Sequence, residues 1–301
     1  MPLSALPYVA LLGFLFGSTL IASRFSVGQV HPTTYIGLRL VLASLGHLGI
    51  FIMLRRWPRD ARLWRHAVVL GVIDLVISTT AIVSALQFQS SGLTAIFLTV
   101  MPAGIVVLAH FFLPAERLSA RTGMGVALAL SGAVLLAVRG ESGLPTVSTA
   151  DPRGALLMVL ALISGGSGVV YARRFLSDYD PIDVAGIRMM TGAAIVMPLS
   201  LLLFGFDLTQ VDARGFGALG YAAFVGTFSG MLLQFYIVKR FGATAVAMTT
   251  YFIPIFAAFG GALILSEMVT PGMAYGMLVI VVGITLVNRR QRRSVVLEPL
   301  P

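Results

Sequence analysis

Three side chains charged at neutral pH stand deep inside long apolar runs of this 301-residue chain: Asp74 in VVLGVIDLVIS, Arg39 in PTTYIGLR and Arg188 in PIDVAGIR. A charge placed in hydrocarbon is costly, so an ionisable group there is by default a candidate for function. Asp74 lies about 12 Å into its run, eight residues from the start at ~1.5 Å per residue. Ser78, Ala81 and Ala85 share its face at helical spacing, a narrow stripe of small and polar groups. Two roles fit Asp74: a cavity carboxylate that binds an ammonium or takes up a proton, or a buried partner that fixes helix packing. Arg39 and Arg188 each follow a proline by seven residues, Pro32 and Pro181. Proline suits the first turn of a helix, so each arginine sits roughly two turns, about 10 Å, down its helix. Arginine keeps its proton and must find a carboxylate, carbonyl dipoles or a watery cavity. The repeated spacing favours a structural clamp for both arginines. Depth places Asp74 level with Arg188 if their helices start from the same side.

Other polar groups could line a path between helices. Pro102 and Pro254 each remove a helical hydrogen bond and predict a helix break, with Thr99 and Tyr251 three residues before them. Gly226, Gly230 and Gln234 share one helix face, which brings the Gln234 amide near a neighbour or a ligand. Tyr171, Phe88 and Phe97 are candidates for aromatic contacts. Glu116 and Glu267 stand at helix junctions, where a carboxylate caps a helix N-terminus. His31, His47, His66 and His110 are scattered without metal-ligand spacing, and only His47 lies deep enough in a run to couple to protons.

The elements that carry these residues are membrane spans. The chain is 57% hydrophobic and 11% charged, about half the charged fraction of a soluble domain, with a mean hydropathy of +0.94. Ten runs are long enough to span: Ala5–Ser23, Pro32–Leu54, Ala67–Leu86, Gly92–Leu113, Thr122–Val138, Gly154–Leu176, Pro181–Phe204, Gly217–Val238, Ala243–Ser266 and Pro271–Val287. The first is read as a span rather than a signal peptide, because no Lys or Arg precedes it. Landmarks recur in order: Arg24-Phe25, Pro32 and Arg39 are echoed by Arg174-Phe175, Pro181 and Arg188. Glu116, Gly125 and Gly132 are echoed by Glu267, Gly276 and Gly283 at the same spacings of nine and seven. The expected fold is an all-α membrane protein of ten helices, built as two five-helix repeats. They cover residues 1–140 and 151–290, with a basic cytoplasmic tail over 291–301. An odd number of crossings inverts the second copy, an arrangement typical of secondary transporters.

The net charge of +9 comes from arginines in short loops, which is the orientation signal of a membrane protein and not a nucleic-acid footprint. With the N-terminus cytoplasmic, inner loops and tail hold fifteen basic residues: Arg55, Arg56, Arg59, Arg62, Arg65, Arg117, Arg121, Arg173, Arg174, Lys239, Arg240, Arg289, Arg290, Arg292 and Arg293. Outer loops hold four: Arg24, Arg139, Arg153 and Arg214. The count orients both termini to the cytoplasm.

Ten helices in two inverted halves, each ending in P…ExxxxxxxxGxxxxxxG, resemble the drug/metabolite transporter superfamily, specifically its EamA-type members, from about Leu11 to Val287. The resemblance implies an exporter of amino acids or related metabolites across a bacterial inner membrane, the aromatic amino-acid exporters of the YddG type being one subgroup. It also implies that the first four helices of each half line a central cavity, with the fifth and tenth outside as supports. The chain departs from the superfamily's small multidrug members, whose first helix holds a glutamate. Ala5–Ser23 and Gly154–Leu176 have no carboxylate.

The expected function is therefore a secondary transporter of small amphipathic metabolites, with a small-molecule substrate and the lipid bilayer as its partners and no cofactor. Such a lining, with Asp74 its one acid and Ser78, Thr99, Tyr171, Gln234 and Tyr251 its polar groups, suits an apolar body with a zwitterionic head and not a phosphate. A passive channel is the nearest competitor. A membrane-embedded enzyme fits less well: the chain has no cysteine, HExxH motif or Walker A loop.

Overall fold

A segment that crosses lipid must satisfy its backbone N–H and C=O groups within itself, so apolar runs of about twenty residues adopt the helix. The computed structural model describes residues 3–113, 118–145, 147 and 151–295, and among these there are helices and no strand. Ten helices follow the ten expected runs. They are α1 (Leu6–Val27), α2 (Pro32–Met53), α3 (Ala61–Ala85), α4 (Ser91–Phe112) and α5 (Ala120–Arg139). The second half repeats them as α6 (Pro152–Phe175), α7 (Pro181–Phe204), α8 (Ala213–Phe241), α9 (Ala243–Leu265) and α10 (Pro271–Val295). Among the described residues nine are long and apolar enough to cross a membrane, and α10 adds the shorter apolar stretch Pro271–Val287. Glu116, Arg117 and the end of the basic tail lie outside the described residues.

Polar caps extend several helices beyond their apolar runs. Asp60 accepts from the Arg62 N–H at 2.8 Å and Asp212 from the Gly215 N–H at 2.7 Å. Each satisfies a donor that the first helical turn leaves unpaired, so α3 starts at Ala61 rather than Ala67 and α8 at Ala213 rather than Gly217. Asp151, Asp180 and Ser90 do the same for α6, α7 and α4.

The two halves are interlocked. α1 packs on α8 and α9 of the other half, and α6 packs on α3 and α4, while α2 pairs with α7 and α5 with α10. Small residues set these approaches. A Cβ on Gly17 of α1 would stand 2.8 Å from the Ile253 carbonyl oxygen, and one on Gly125 of α5 would stand 2.7 Å from that of Gly283 in α10. Tyr35, Ile36, Leu40, Ala185 and Met189 form the sealed core between α2 and α7. Arg56 closes its end, meeting Asp180 at 3.0 Å and Asp183 at 2.7 Å.

Three helices are irregular, and the pattern differs from the expected pair of proline breaks. α4 breaks at Thr99–Val100 and restarts at Met101, with Pro102 in its first turn. α9 runs unbroken through Pro254, which corrects the expected break there. A single missing hydrogen bond is bridged where a neighbouring helix holds both sides, and α1 lies against Phe252, Ile253 and Phe256 on either side of that proline. The other irregularities are π-helical: Gly71–Thr79 within α3 and Tyr221–Ser229 within α8, at matching places in the two halves. Neither contains a proline, and a leucine-glycine pair, Leu70-Gly71 or Leu219-Gly220, stands at the start of each.

Candidate functional site

The π segments and the two arginines meet across the halves. A π turn widens the helix and leaves a carbonyl in need of a donor, and such segments recur at functional sites. In α3 the Ile73 carbonyl accepts from Ser164 of α6, and Ser78 donates to the Ala161 carbonyl at 3.0 Å. Gly168 of α6 faces the Asp74 Cβ, where a side chain of its own would collide. Held this way, the Asp74 carboxylate meets the Arg188 guanidinium of α7 at 2.9 Å, the side chains 24% and 18% exposed. The pairing suggested by equal depth forms. Arg188 Nη2 also lies 3.9 Å from the Met231 sulfur of α8, while its Nε is buried without a hydrogen bond.

His47 of α2 is fully buried, with Nδ1 3.1 Å from the Ala43 carbonyl oxygen. A carbonyl only accepts, so Nδ1 carries a proton, while Nε2 is buried and unpartnered. The ring stands edge-on to Phe228, centroids 5.1 Å apart.

Arg39 of α2 reaches the other π segment. Its Nε donates to Thr227 Oγ1 of α8 at 2.7 Å and its Nη1 to Ser23 Oγ of α1 at 3.3 Å. The two arginines hold equivalent places in the halves, yet one meets a carboxylate and the other hydroxyls. The expected structural clamp therefore takes two forms, a charge pair at Arg188 and hydroxyl contacts at Arg39.

Two clefts open beside these groups. We call the membrane face where α1 begins the near face and the other the far face. A cleft of about 610 Å³ lies between α1, α8 and α9 in the half of the bundle nearer the far face, lined by Phe14, Ser18, Phe25, Tyr221, Phe256 and Phe259 among others. A smaller one of about 170 Å³ lies between α3, α4 and α6 in the half nearer the near face, lined by Ile73, Phe112, Ser167, Tyr171, Arg174 and Phe175 among others. The helices involved correspond one to one under the inverted repeat. Ser18 and Tyr221 in the wall of the larger cleft are 2.8 Å apart, and Tyr171 in the wall of the smaller is 2.7 Å from His66 Nδ1 of α3.

The residues expected to line a path divide into groups. Asp74, Ser78 and Tyr171 gather where α3 meets α6. Gln234 is partly buried on α8, and Tyr251 of α9 packs against the core below α4. Thr99 is sealed, its hydroxyl spent on the Ile96 carbonyl at 2.5 Å, and Ser78 is buried too, so neither hydroxyl is open to a ligand. The Gly226–Gly230 face of α8 is covered by Thr19 and Phe16 of α1, a neighbour and not a ligand. Glu267 caps a helix, but not the one that follows it: its carboxylate accepts from the Ser91 N–H at 3.0 and 3.1 Å and from the Ser91 hydroxyl at 2.6 Å, at the start of α4. Sequence reasoning missed Ser23, Thr227 and Tyr221; only Tyr35, four residues before Arg39, had a readable signal. Among the described residues no group of three His, Asp or Glu is placed to hold a metal.

Nine candidate spans and a tenth, shorter apolar helix among the described residues, interlocked as two inverted halves with a cleft toward each end of the bundle, define a multi-pass membrane transporter fold. The sequence comparisons give the family: residues 3–138 and again 152–289 match the EamA-like transporter family, to which this chain belongs. It is a transporter and not an enzyme. It is 23% identical over 271 residues to the uncharacterized transporter YoaV of Bacillus subtilis, covering 90% of this chain and 91% of that one. The uncharacterized inner membrane transporter YedA of Escherichia coli K12 is 24% identical over 251 residues, covering 82% and 78%. A solved crystal structure shares the fold with a TM-score of 0.66 and 19% identity, covering 95% of this chain and 96% of that one.

Proposed function

We propose that this chain exports small amphipathic metabolites, foremost amino acids with large apolar or aromatic side chains, by alternating access between its two halves, residues 1–140 and 151–290. The observation that carries this reading is the pair of clefts related by the inverted repeat, one of about 610 Å³ and one of about 170 Å³, lying toward opposite ends of the bundle. Unequal clefts at equivalent places are what one end state of a rocking transporter presents. Their aromatic and aliphatic walls suit an apolar body. Fifteen basic residues in one set of loops against four in the other support a cytoplasmic near face, which puts the larger cleft in the outer half of the bundle. The likeness to an inner membrane transporter supports that location. Tyr171, Gln234 and Tyr251 are proposed to touch the substrate, with the Asp74–Arg188 pair holding α3 to α7 beside the path.

Proteoliposomes loaded with labelled leucine, phenylalanine, glutamate or a sugar phosphate test the proposal. The expected result is saturable efflux and counterflow of the apolar amino acids, weakened by Gln234→Ala or Tyr251→Ala. Flux without saturation or counterflow would make the protein a passive facilitator, and transport of the sugar phosphate alone would overturn the substrate class.

A further inference from the structure

Arg39 carries a whole positive charge at membrane depth that the described protein does not neutralise. Arg188, its equivalent in the other half, has Asp74 at 2.9 Å. Arg39 has only neutral partners, and their protons can be assigned. Thr227 Oγ1 donates to the Ala222 carbonyl at 2.8 Å, leaving a lone pair for Arg39 Nε at 2.7 Å. Ser23 Oγ donates to the Thr19 carbonyl at 2.7 Å and accepts from Arg39 Nη1 at 3.3 Å. The Tyr35 hydroxyl, 3.1 Å from Ser23 Oγ, then donates to it. Thr227 and Ser23 accept from the guanidinium, Tyr35 donates to Ser23, and none of the three hydroxyls brings a charge. No carboxylate pairs with Arg39 among the described residues: Asp74 is held by Arg188, and Asp183 by Arg56.

We propose that Arg39, set on Ser23, Tyr35 and Thr227, is an anion subsite that takes the carboxylate of the transported molecule. This rests on the transporter reading and deepens it by naming the head group that is recognised. Ser23 and Tyr35 are sealed and form the floor, whereas Arg39 and Thr227 are only partly buried. A guanidinium matches a carboxylate in charge and fork geometry. One fixed positive charge balances a monoanion but leaves a phosphate dianion uncompensated. An uncompensated cation also penalises the empty protein, so a neutral side chain in its place should stabilise the ligand-free state.

The test uses purified full-length protein in chloride-free buffer, with melting temperature as the readout. Its probes are 3-phenylpropionate, which keeps the carboxylate of an aromatic amino acid, and phenethylamine, which keeps only the amine. The acid at saturation is expected to raise the wild-type Tm by about 3 °C or more, with no shift from the amine. Arg39→Gln should melt no lower than the wild type when ligand-free and should ignore the acid, while Arg39→Lys keeps a smaller shift. Equal shifts from acid and amine, or none from either, overturn the proposal, as does an Arg39→Gln variant that responds like the wild type. An equal shift from sodium chloride overturns the carboxylate assignment. If Arg39→Gln fails to fold, the comparison of acid with amine in the wild type and in Arg39→Lys still decides. Counterflow of phenylalanine inhibited equally by both probes would sink the subsite and leave the transporter reading intact. A carboxylate-specific Tm shift without any amino-acid flux would do the reverse.

Discussion

Replacing Asp74 with asparagine removes the one acid that neutralises Arg188. At 2.9 Å, the Coulomb attraction is roughly 6 kcal/mol for an effective dielectric of about 20. The side chains are 24% and 18% exposed and keep part of their hydration. Desolvation offsets more of the attraction, so losing one partner should cost about 2–4 kcal/mol, somewhat under the ~3–5 kcal/mol of a sealed pair. Arg188 Nε already lacks a hydrogen bond, which leaves the guanidinium little else to fall back on. Asp74→Asn and Arg188→Met should each show this loss. The double variant should lose little more than either alone, because no charge is then stranded. The swap Asp74→Arg with Arg188→Asp should recover part of the stability. Equilibrium unfolding in mixed micelles, analysed as a double-mutant cycle, measures the coupling, expected above about 1 kcal/mol. Single losses that simply add in the double variant would refute the reasoning.

A periplasm-reporting fusion after Ser90 should be active outside, and one after Asp60 should report the cytoplasm; the opposite pair of results would overturn the orientation drawn from the basic loops. Glu267→Ala should lower stability by about 1–3 kcal/mol, read as a drop in Tm, because it strips three hydrogen bonds from the buried start of α4; Glu267→Gln should keep part of them. Acid should destabilise the protein through its helix caps. Backbone N–H bonds from Arg62 and Gly215 hold the Asp60 and Asp212 carboxyls below the usual carboxylate range. A folded pKa depressed this way contributes stability above the unfolded value of about 3.9, and that contribution is lost as pH falls through the folded pKa. Tm is expected to stay level between about pH 7 and 5 and to fall below about pH 4, less steeply in the Asp60→Asn, Asp212→Asn variant.

The spans, their number and their inverted duplication were legible in the sequence because each depends on a local property. Apolar length sets a crossing, and Pro32 with Arg39 repeats as Pro181 with Arg188 at one spacing. The Asp74–Arg188 pair was legible for the same reason: rise per residue converts position into depth, and few charges compete at that depth. Depth says nothing about lateral neighbours. Only the tertiary arrangement decided that α1 crosses to α8 and α9, that Arg39 meets Thr227 and Ser23 instead of an acid, and that Glu267 caps α4 instead of α10. The π segments fall in the same class. Gly71–Thr79 is stable because Ser164 of another helix supplies the Ile73 carbonyl with a donor, and no pattern along α3 alone encodes a donor that arrives from α6. Pro254 shows the converse: its local tendency to break a helix was plain in the sequence, and the close face of α1 overrode it.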